Sequence, residues 1–373
     1  MAFPVLRLGD LIAQTPIVQG GMGVGISLHK LASAVANEGG IGVIAGAMIG
    51  MRESDVAVNP QEANLRALRN EIRQARALTK GVLGVNIMCV LTDFPALVRT
   101  SIEEKIDLIF AGAGLPLDLP KHLIETCEAK KEEMRTKLVP IVSSARAANL
   151  ICKKWLSRFG MLPDAFVVEG PKAGGHLGFK AEDINDPGHS LESVLPQVVD
   201  AMKAFEDKHG RAIPIIAAGG VFTGEDIKQC LDLGASGVQM GTRFVATHEC
   251  DADIRFKQSY VNATADDITI IKSPVGLPGR AIKSRFLEAL DERRRNFRCI
   301  FHCVSTCDPD KSPYCIAAAL LNAMKGNLEK GFAFSGANAF RVNNIVSVRE
   351  LVESLLREFD AATDVSAAAL AKP

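Results

Sequence analysis

Short apolar runs alternate with longer amphipathic stretches along most of this chain. The apolar runs fall at residues 16–19, 41–45, 84–87, 108–110, 138–142, 165–169, 214–217 and 238–240. Helical periodicity fills the gaps at 28–37, 61–78, 94–104, 119–131, 145–159, 191–208 and 224–233, and a further helix follows near 252–261. Eight strand-plus-helix units in series are the count of a (β/α)8 TIM barrel. Runs that are apolar throughout suit parallel strands covered on both faces. The alternative is a doubly wound open sheet, which usually has fewer strands and a phosphate turn after the first one. The first run here also ends in glycines, so that criterion alone leaves both folds open.

Two segments break the rhythm. The second unit carries the insertion GAMIGMRESDVAVNPQ before its helix. Beyond about residue 268 the chain holds a Pro/Gly loop (273–280), a basic helix (285–298), four clustered cysteines and a closing helix (347–359). The predicted organisation is a barrel over 1–267, a small lid over 268–346, and a closing helix with a frayed tail over 347–373.

Composition narrows the function. Hydrophobic residues make up 47% of the 373, yet aromatics only 5%, so the core must be aliphatic. Lys plus Arg and Asp plus Glu both number 43. A chain without net charge has no basic field for a polyanion, which argues against nucleic acid as a main partner. No signal peptide and no apolar run of membrane-spanning length is read in the sequence, so a cytoplasmic protein with no membrane partner is expected. Of nine cysteines, Cys89, Cys127, Cys152, Cys230 and Cys250 are scattered through strand and helix patterns and read as reduced packing residues.

Barrel enzymes place their chemistry at the C-terminal ends of the strands. Runs seven and eight each end in a glycine turn, Gly219-Gly220 and Gly241-Thr242. Thr223 with Asp226 forms a capping-box pattern that opens the intervening helix. Glycine lets backbone N–H groups approach a ligand, and a helix N-terminus favours an anion, so these turns read as a phosphate cradle. The other strand ends supply glycine, amide and small side chains, which suit a large flat ligand and lack a metal-binding cluster.

The motifs IVQGGMG, LGVNIM, AGAGLP, VPIVSS, EGPKAGGHLG, IIAAGGV and VQMGTRFV occur in order between about residues 16 and 286. In that order they resemble the nitronate monooxygenase/2-nitropropane dioxygenase family, which includes the FMN-dependent enoyl-acyl-carrier-protein reductases. The resemblance implies an FMN-bearing barrel with a small lid. It puts Gly20, Gly21 and Met22 along the isoalloxazine ring and Asn86 at the flavin edge. It puts Gly219, Gly220, Gly241 and Thr242 on the phosphate, and His176 at the reactive side. Gln19, Glu169, Gly174, Gly175, Ala218 and Gln239 lie in the same motifs and complete the candidate cofactor-binding set. Each has a structural rival: Met22 as core filler, Asn86 as a turn cap, His176 as a brace for its own loop, Glu169 as a plain hydrogen-bond acceptor.

The resemblance implies one of two reactions. One is oxidation of an alkyl nitronate with O2 to a carbonyl compound and nitrite. The other is reduction of an enoyl thioester at the expense of NAD(P)H, with His176 serving either. Nitronate-type members often carry a Lys after strand five, where this chain has Ser143-Ser144. Nitronate monooxygenase is the first expectation and enoyl reductase the alternative, with a small molecule or acyl thioester as substrate and a homodimer as the assembly. Lys272 and Arg280, in KSPVGLPGRAI, are either contacts for a phosphate of NAD(P)H or of a carrier, or solvated loop charges. Cys299, Cys303, Cys307 and Cys315 are spaced C-x3-C-x3-C-x7-C. They either ligate an iron–sulfur cluster of the 4Fe-4S kind, bind zinc, or form a small-residue stripe on a helix. A cluster would admit a third reading, a flavin electron-transfer module.

Overall fold

A computed structural model describes residues 3–290 and 297–370. Eight parallel strands form a closed ring: β1 (Ile17–Gln19), β2 (Gly42–Ala45), β3 (Leu83–Met88), β4 (Leu108–Gly112), β5 (Lys137–Val142), β6 (Phe166–Glu169), β7 (Ile215–Ala218) and β8 (Gly237–Met240). The last strand pairs with the first. A parallel bridge from Val18 to Ile41 joins β1 to the start of β2. There the Gln19 N–H donates to the Ile41 carbonyl at 3.0 Å and the Ile41 N–H to the Ile17 carbonyl at 2.9 Å. Closure removes both sheet edges, so the fold is the (β/α)8 barrel and not an open sheet.

Period-two alternation sorts the strand residues. Val18, Val43, Phe110, Val139, Val167 and Ile216 form the core inside the ring, and Leu6 and Leu8 join them. These leucines belong to an N-terminal hairpin, Leu6–Leu8 with Leu11–Ala13, that plugs the end where the strands begin. Their neighbours Ile17, Ile44, Val85, Ile109, Leu138 and Val238 face outward into the helix layer. That layer consists of α1 (His29–Asn37), α2 (Pro60–Leu78), α3 (Phe94–Glu103), α4 (Leu119–Lys130), α5 (Ala145–Phe159), α6 (Leu191–His209) and α7 (Gly224–Asp232). With helices over one face and packed side chains on the other, the strands read as continuous apolar runs. No helix among the described residues is long and apolar enough to cross a membrane.

Long-range caps tie the two ends of the chain to the ring. α1 has no capping side chain of its own, and Asp251, from the loop after β8, accepts the Leu28 N–H at 2.8 Å. The capping box at α7 is present, Thr223 with Asp226. The next N–H, that of Gly224, donates at 2.8 Å to Glu358 of the closing helix.

Three expectations for the C-terminal part need correction. The closing helix runs Val348–Leu370, so the tail expected to fray is helical through Leu370. The basic helix expected over 285–298 is a single turn, Arg285–Glu288; residues 291–296 lie outside the described residues, and 297–300 are not helical. The lid sheet has three antiparallel strands, Ile268–Lys272, Pro278–Ile282 and Gly175–His176. Its third strand comes from the loop after β6, so a boundary at 267 does not separate lid from barrel. The lid has its own core, in which Phe286, Tyr314 and Phe332 meet edge-to-face or stacked.

The α7 start is packed without slack against the closing helix. A Cβ on Gly224 would lie 2.2 Å from the Leu355 carbonyl oxygen and 2.3 Å from the Phe359 nitrogen. Gly224→Ala is therefore expected to cost about 1–3 kcal/mol by overpacking and to expose the closing helix to protease. Thermal unfolding with limited proteolysis checks this; parental behaviour in both would show that the helix docks less tightly than described.

Candidate active site

Loops from the C-terminal ends of all eight strands converge on one cavity of about 770 Å³. That volume is in the upper range of cofactor and ligand sites. Most of the candidate residues read from the sequence line it: Gly20, Gly21, Met22, Asn86 and Glu169 from β1, β3 and β6; Gly174, Gly175 and His176 from the loop after β6; Ala218, Gly219, Gly220, Gln239, Gly241 and Thr242 from β7 and β8.

Gln19 is the exception. It is fully buried, its side-chain oxygen accepts the Val43 N–H at 3.0 Å, and its amide nitrogen donates to the Gly20 carbonyl. Both ends of the amide are spent on backbone where β1 meets β2, so it holds the ring together and does not face the cavity.

One corner is built from backbone. Gly219 and Gly220 have φ of +92° and +101°, a region that L side chains rarely enter. The Gly219 α-carbon sits so close to its neighbours that a Cβ would be 2.6 Å from the Gly170 carbonyl oxygen. The lid ties this corner down. Asn338 donates its amide to the Gly220 carbonyl at 2.6 Å, and the Gly336 N–H donates to Thr242 Oγ1 at 3.2 Å. Lys172 also lines the cavity, with its stem beside Gly220. The start of α7 does not serve this corner, because Glu358 and the capping box occupy its N–H groups. A short helical turn, Thr242–Val245, begins at the cavity instead.

The wall beside this corner is built on glycine for a steric reason. A Cβ on Gly21 would fall 2.3 Å from the Asn86 Cβ, so only glycine lets β1 and β3 present a continuous face. Beside it the Met22 N–H donates to Ser27 Oγ at 2.9 Å. Met22 both lines the cavity and packs on the main core, which reconciles its two readings. Two buried polar atoms in the lining have no hydrogen-bond partner, Gln239 Oε1 and Ser335 Oγ. Buried polar groups are nearly always paired, so such orphans mark where a ligand's polar edge belongs.

Burial shifts the site's histidine and carboxyl toward their neutral forms, while Lys172 and Lys180 also line the cavity. His176 Nε2 lies 2.7 Å from Ser273 Oγ, and its ring meets Phe334 edge-on at 5.0 Å. Burial lowers the His176 pKa to about 4, so the imidazole is uncharged at neutral pH. The Ser273 hydroxyl also accepts the Val275 N–H at 3.4 Å, and its second lone pair and its proton let it either accept from or donate to Nε2. Glu169, at the end of β6, is enclosed by protein yet opens onto the cavity, and burial raises its pKa to about 7. Cavity water tempers that shift, and a ring that displaces the water strengthens it. After β5, Ser143 lines the cavity while Ser144 also caps α5.

Two loop charges are now placed. Arg280 is buried and donates to the Pro171 and Ala173 carbonyls, both at 2.6 Å. It braces the glycine-rich loop and is not free to meet a cofactor phosphate. Lys272 is exposed outside the cavity lining. The four late cysteines also stand outside the cavity. Cys299, Cys303 and Cys307 lie in non-helical chain and Cys315 precedes a helix, so no helical stripe forms. No group of three His, Cys, Asp or Glu side chains among the described residues is set to hold a metal ion. Lys172, Ser273, Ser335 and Asn338 were not singled out in the sequence. Lys172 lay in view within EGPKAGGHLG, whereas the other three reach the site only through the lid's tertiary packing.

The nitronate monooxygenase family model matches residues 7–358. Relatives include a 5-hydroxy-7a-methyl-1-oxo-octahydro-1H-indene-4-carboxyl-CoA dehydrogenase from Mycobacterium tuberculosis, 28% identical over 97% of each chain. A probable nitronate monooxygenase from Staphylococcus aureus is 28% identical over 77% of this chain and 80% of its own. Among solved structures, FabK from Thermotoga maritima superposes with a TM-score of 0.72 at 28% identity, over 95% of both chains. These relatives are oxidoreductases of a flavoprotein family. A barrel whose strand ends all open on one flavin-sized cavity, matched from near its first residue to its closing helix, belongs to the nitronate monooxygenase family of oxidoreductases.

Proposed function

We propose that the chain is an FMN-dependent oxidoreductase that reduces an activated double bond in an acyl thioester with NAD(P)H. The observation that carries this is the pair of proton-handling groups lining one cavity, a neutral His176 and a Glu169 that titrates near pH 7. All nine cysteines are free thiols, which fits a cytoplasmic site of action.

The cavity fits the cofactor. Gly219, Gly220, Gly241 and Thr242, with Lys172 alongside, would hold the phosphate through backbone N–H groups and one ammonium. The Gly20–Met22 wall and Asn86 would bound the ring, and the unpartnered Gln239 Oε1 and Ser335 Oγ would meet its polar groups. When bound, FMN supplies hydride chemistry that no side chain can. The chain's own residues do the rest. His176 Nδ1–H can polarise a thioester carbonyl, held in orientation by Ser273 and Phe334. Glu169, protonated in part at neutrality, can deliver the proton that balances an added hydride. The CoA thioester in the mycobacterial relative's name supports the substrate class.

Nitronate oxidation is the second reading, supported by the family and by the staphylococcal relatives. It calls for a fixed positive charge near the reacting carbon. His176 does not supply one, but Lys180 lines the cavity and could, as could Lys172 where it is not engaged by the phosphate.

Anaerobic mixing separates the readings. NADH or NADPH should bleach the bound flavin, and a short enoyl thioester should restore its colour. Bleaching by propyl nitronate, with neither nicotinamide effective, would favour nitronate oxidation instead. Gly220→Asp is expected to abolish flavin retention by aiming a carboxylate at the phosphate corner and straining a positive φ, while circular dichroism stays that of the parent. Full flavin occupancy in that variant would move the phosphate elsewhere. Glu169→Gln should slow turnover about 10²–10⁴-fold and remove a fall in kcat as pH rises through about 7. The sign for stability follows from the same shift. A carboxyl raised from 4.5 to about 7 in the fold contributes stability in full below pH 4.5 and loses it as pH rises through 7. In flavin-free protein, Glu169→Gln should therefore gain melting temperature over the parent at pH 8 and gain little at pH 4.5. An equal difference at both pH values would place Glu169 in ordinary solvent.

A further inference from the structure

Neither reaction uses the cysteine segment, yet four of the nine cysteines lie within residues 299–315. The fold brings them together without a helix to do so. Cys303 and Cys315 pack against one apolar cluster, and Cys299 and Cys307 lie four residues to either side of Cys303. All four are partly exposed free thiols, whereas Cys127, Cys152, Cys230 and Cys250 are buried in the barrel.

The segment is pinned in place. Leu91 and Val304 form an antiparallel bridge. The Thr92 N–H donates to the Cys303 carbonyl at 3.2 Å, its hydroxyl donates to the His302 carbonyl at 2.6 Å, and the Ser305 N–H donates to the Val90 carbonyl at 2.9 Å. Cys303 and Cys315 pack on Val24, Met48 and Met51, so the insertion after β2 forms the floor beneath the thiols. Cys315 directly precedes the helix Ile316–Met324.

We propose that Cys299, Cys303, Cys307 and Cys315 ligate a four-iron iron–sulfur cluster. Four thiolates from one short segment suffice for such a cluster. The cluster and its four thiolates carry net negative charge, and the sequence places four arginines in the six residues before Cys299. Val24 and Leu320 belong both to the packing around Cys303 and Cys315 and to the lining of the cavity. One layer of side chains thus separates the thiols from the candidate flavin site. The site does not depend on the flavin reading, and its test reads metal rather than activity.

Full-length protein produced and purified without oxygen should contain about four irons and four acid-labile sulfides per chain, with a paramagnetic signal after dithionite reduction. Cys303→Ser and Cys315→Ser should each lose most of the iron and sulfide, Cys127→Ser should lose none, and all three should keep the flavin content of the parent. Zinc without sulfide, or no metal in the parent protein, would overturn the proposal. So would iron that survives both Cys303→Ser and Cys315→Ser.

Discussion

The buried guanidinium of Arg280 joins the two parts of the molecule that make the site. It sits on the middle strand of the lid sheet and donates to two carbonyls of the glycine-rich loop after β6. No carboxylate pairs with it among the described residues, and burial lowers its pKa. Hydrogen bonds from a charged donor contribute about 1.5–3 kcal/mol each, and they must offset the desolvation of a cation. The arrangement holds only while the loop carbonyls stay where they are. Hence the loop is rigid at Pro171 and Ala173, and two residues later it becomes a lid strand carrying His176. The reactive side chain is positioned by a sheet and a buried cation rather than by a free loop.

The barrel supplies the rest of the constraint. Ring closure fixes eight strand ends at one mouth, and close contacts between those ends set its shape. Gly21 meets Asn86, and Gly219 meets Gly170. Those contacts leave no room for side chains, so the wall and the corner are made of backbone. Backbone donors do not titrate or change rotamer, which suits a cofactor that must stay in place through a catalytic cycle. The lid then reaches over to fasten the backbone corner through Asn338 and Gly336.

The barrel was legible in the sequence because each strand is buried on both faces. Such strands leave continuous apolar runs, bounded by glycine at the end that carries the chemistry. The glycine turns after β7 and β8 were legible for the same reason, and the structure places both on the cavity. Gln19 misled because a buried amide next to a glycine wall looks like a ligand contact. Its partners are the Val43 N–H and the Gly20 carbonyl, which only ring closure brings into view. The start of α7 misled in a related way. Its capping box was readable over three residues, but Glu358 arrives from 134 positions away. Ser273 and Ser335 could not be found, since a lone serine in a loop acquires meaning only when a sheet places it against His176 or in a cavity wall. The lid itself resisted reading because its strands are irregular, and one of them, Gly175–His176, is two residues long.

The charge state of the site bears on its chemistry more than its family does. A histidine with an ordinary pKa beside a bound anion could be cationic and select an anionic substrate. Here His176 is walled by Phe334 and tied to a serine hydroxyl, and neither partner favours the imidazolium. Burial acts in opposite directions on an acid and a base, lowering the histidine and raising Glu169 toward the same neutral condition. A neutral imidazole and a carboxyl that titrates near pH 7 suit an addition in which a hydride and a proton enter a polarised double bond, while Lys172 and Lys180 give the same cavity cationic side chains. The low-dielectric lining that makes the cavity hospitable to a flat aromatic ring is the same cause that sets both pKa values, so cofactor fit and proton chemistry come from one property of the fold.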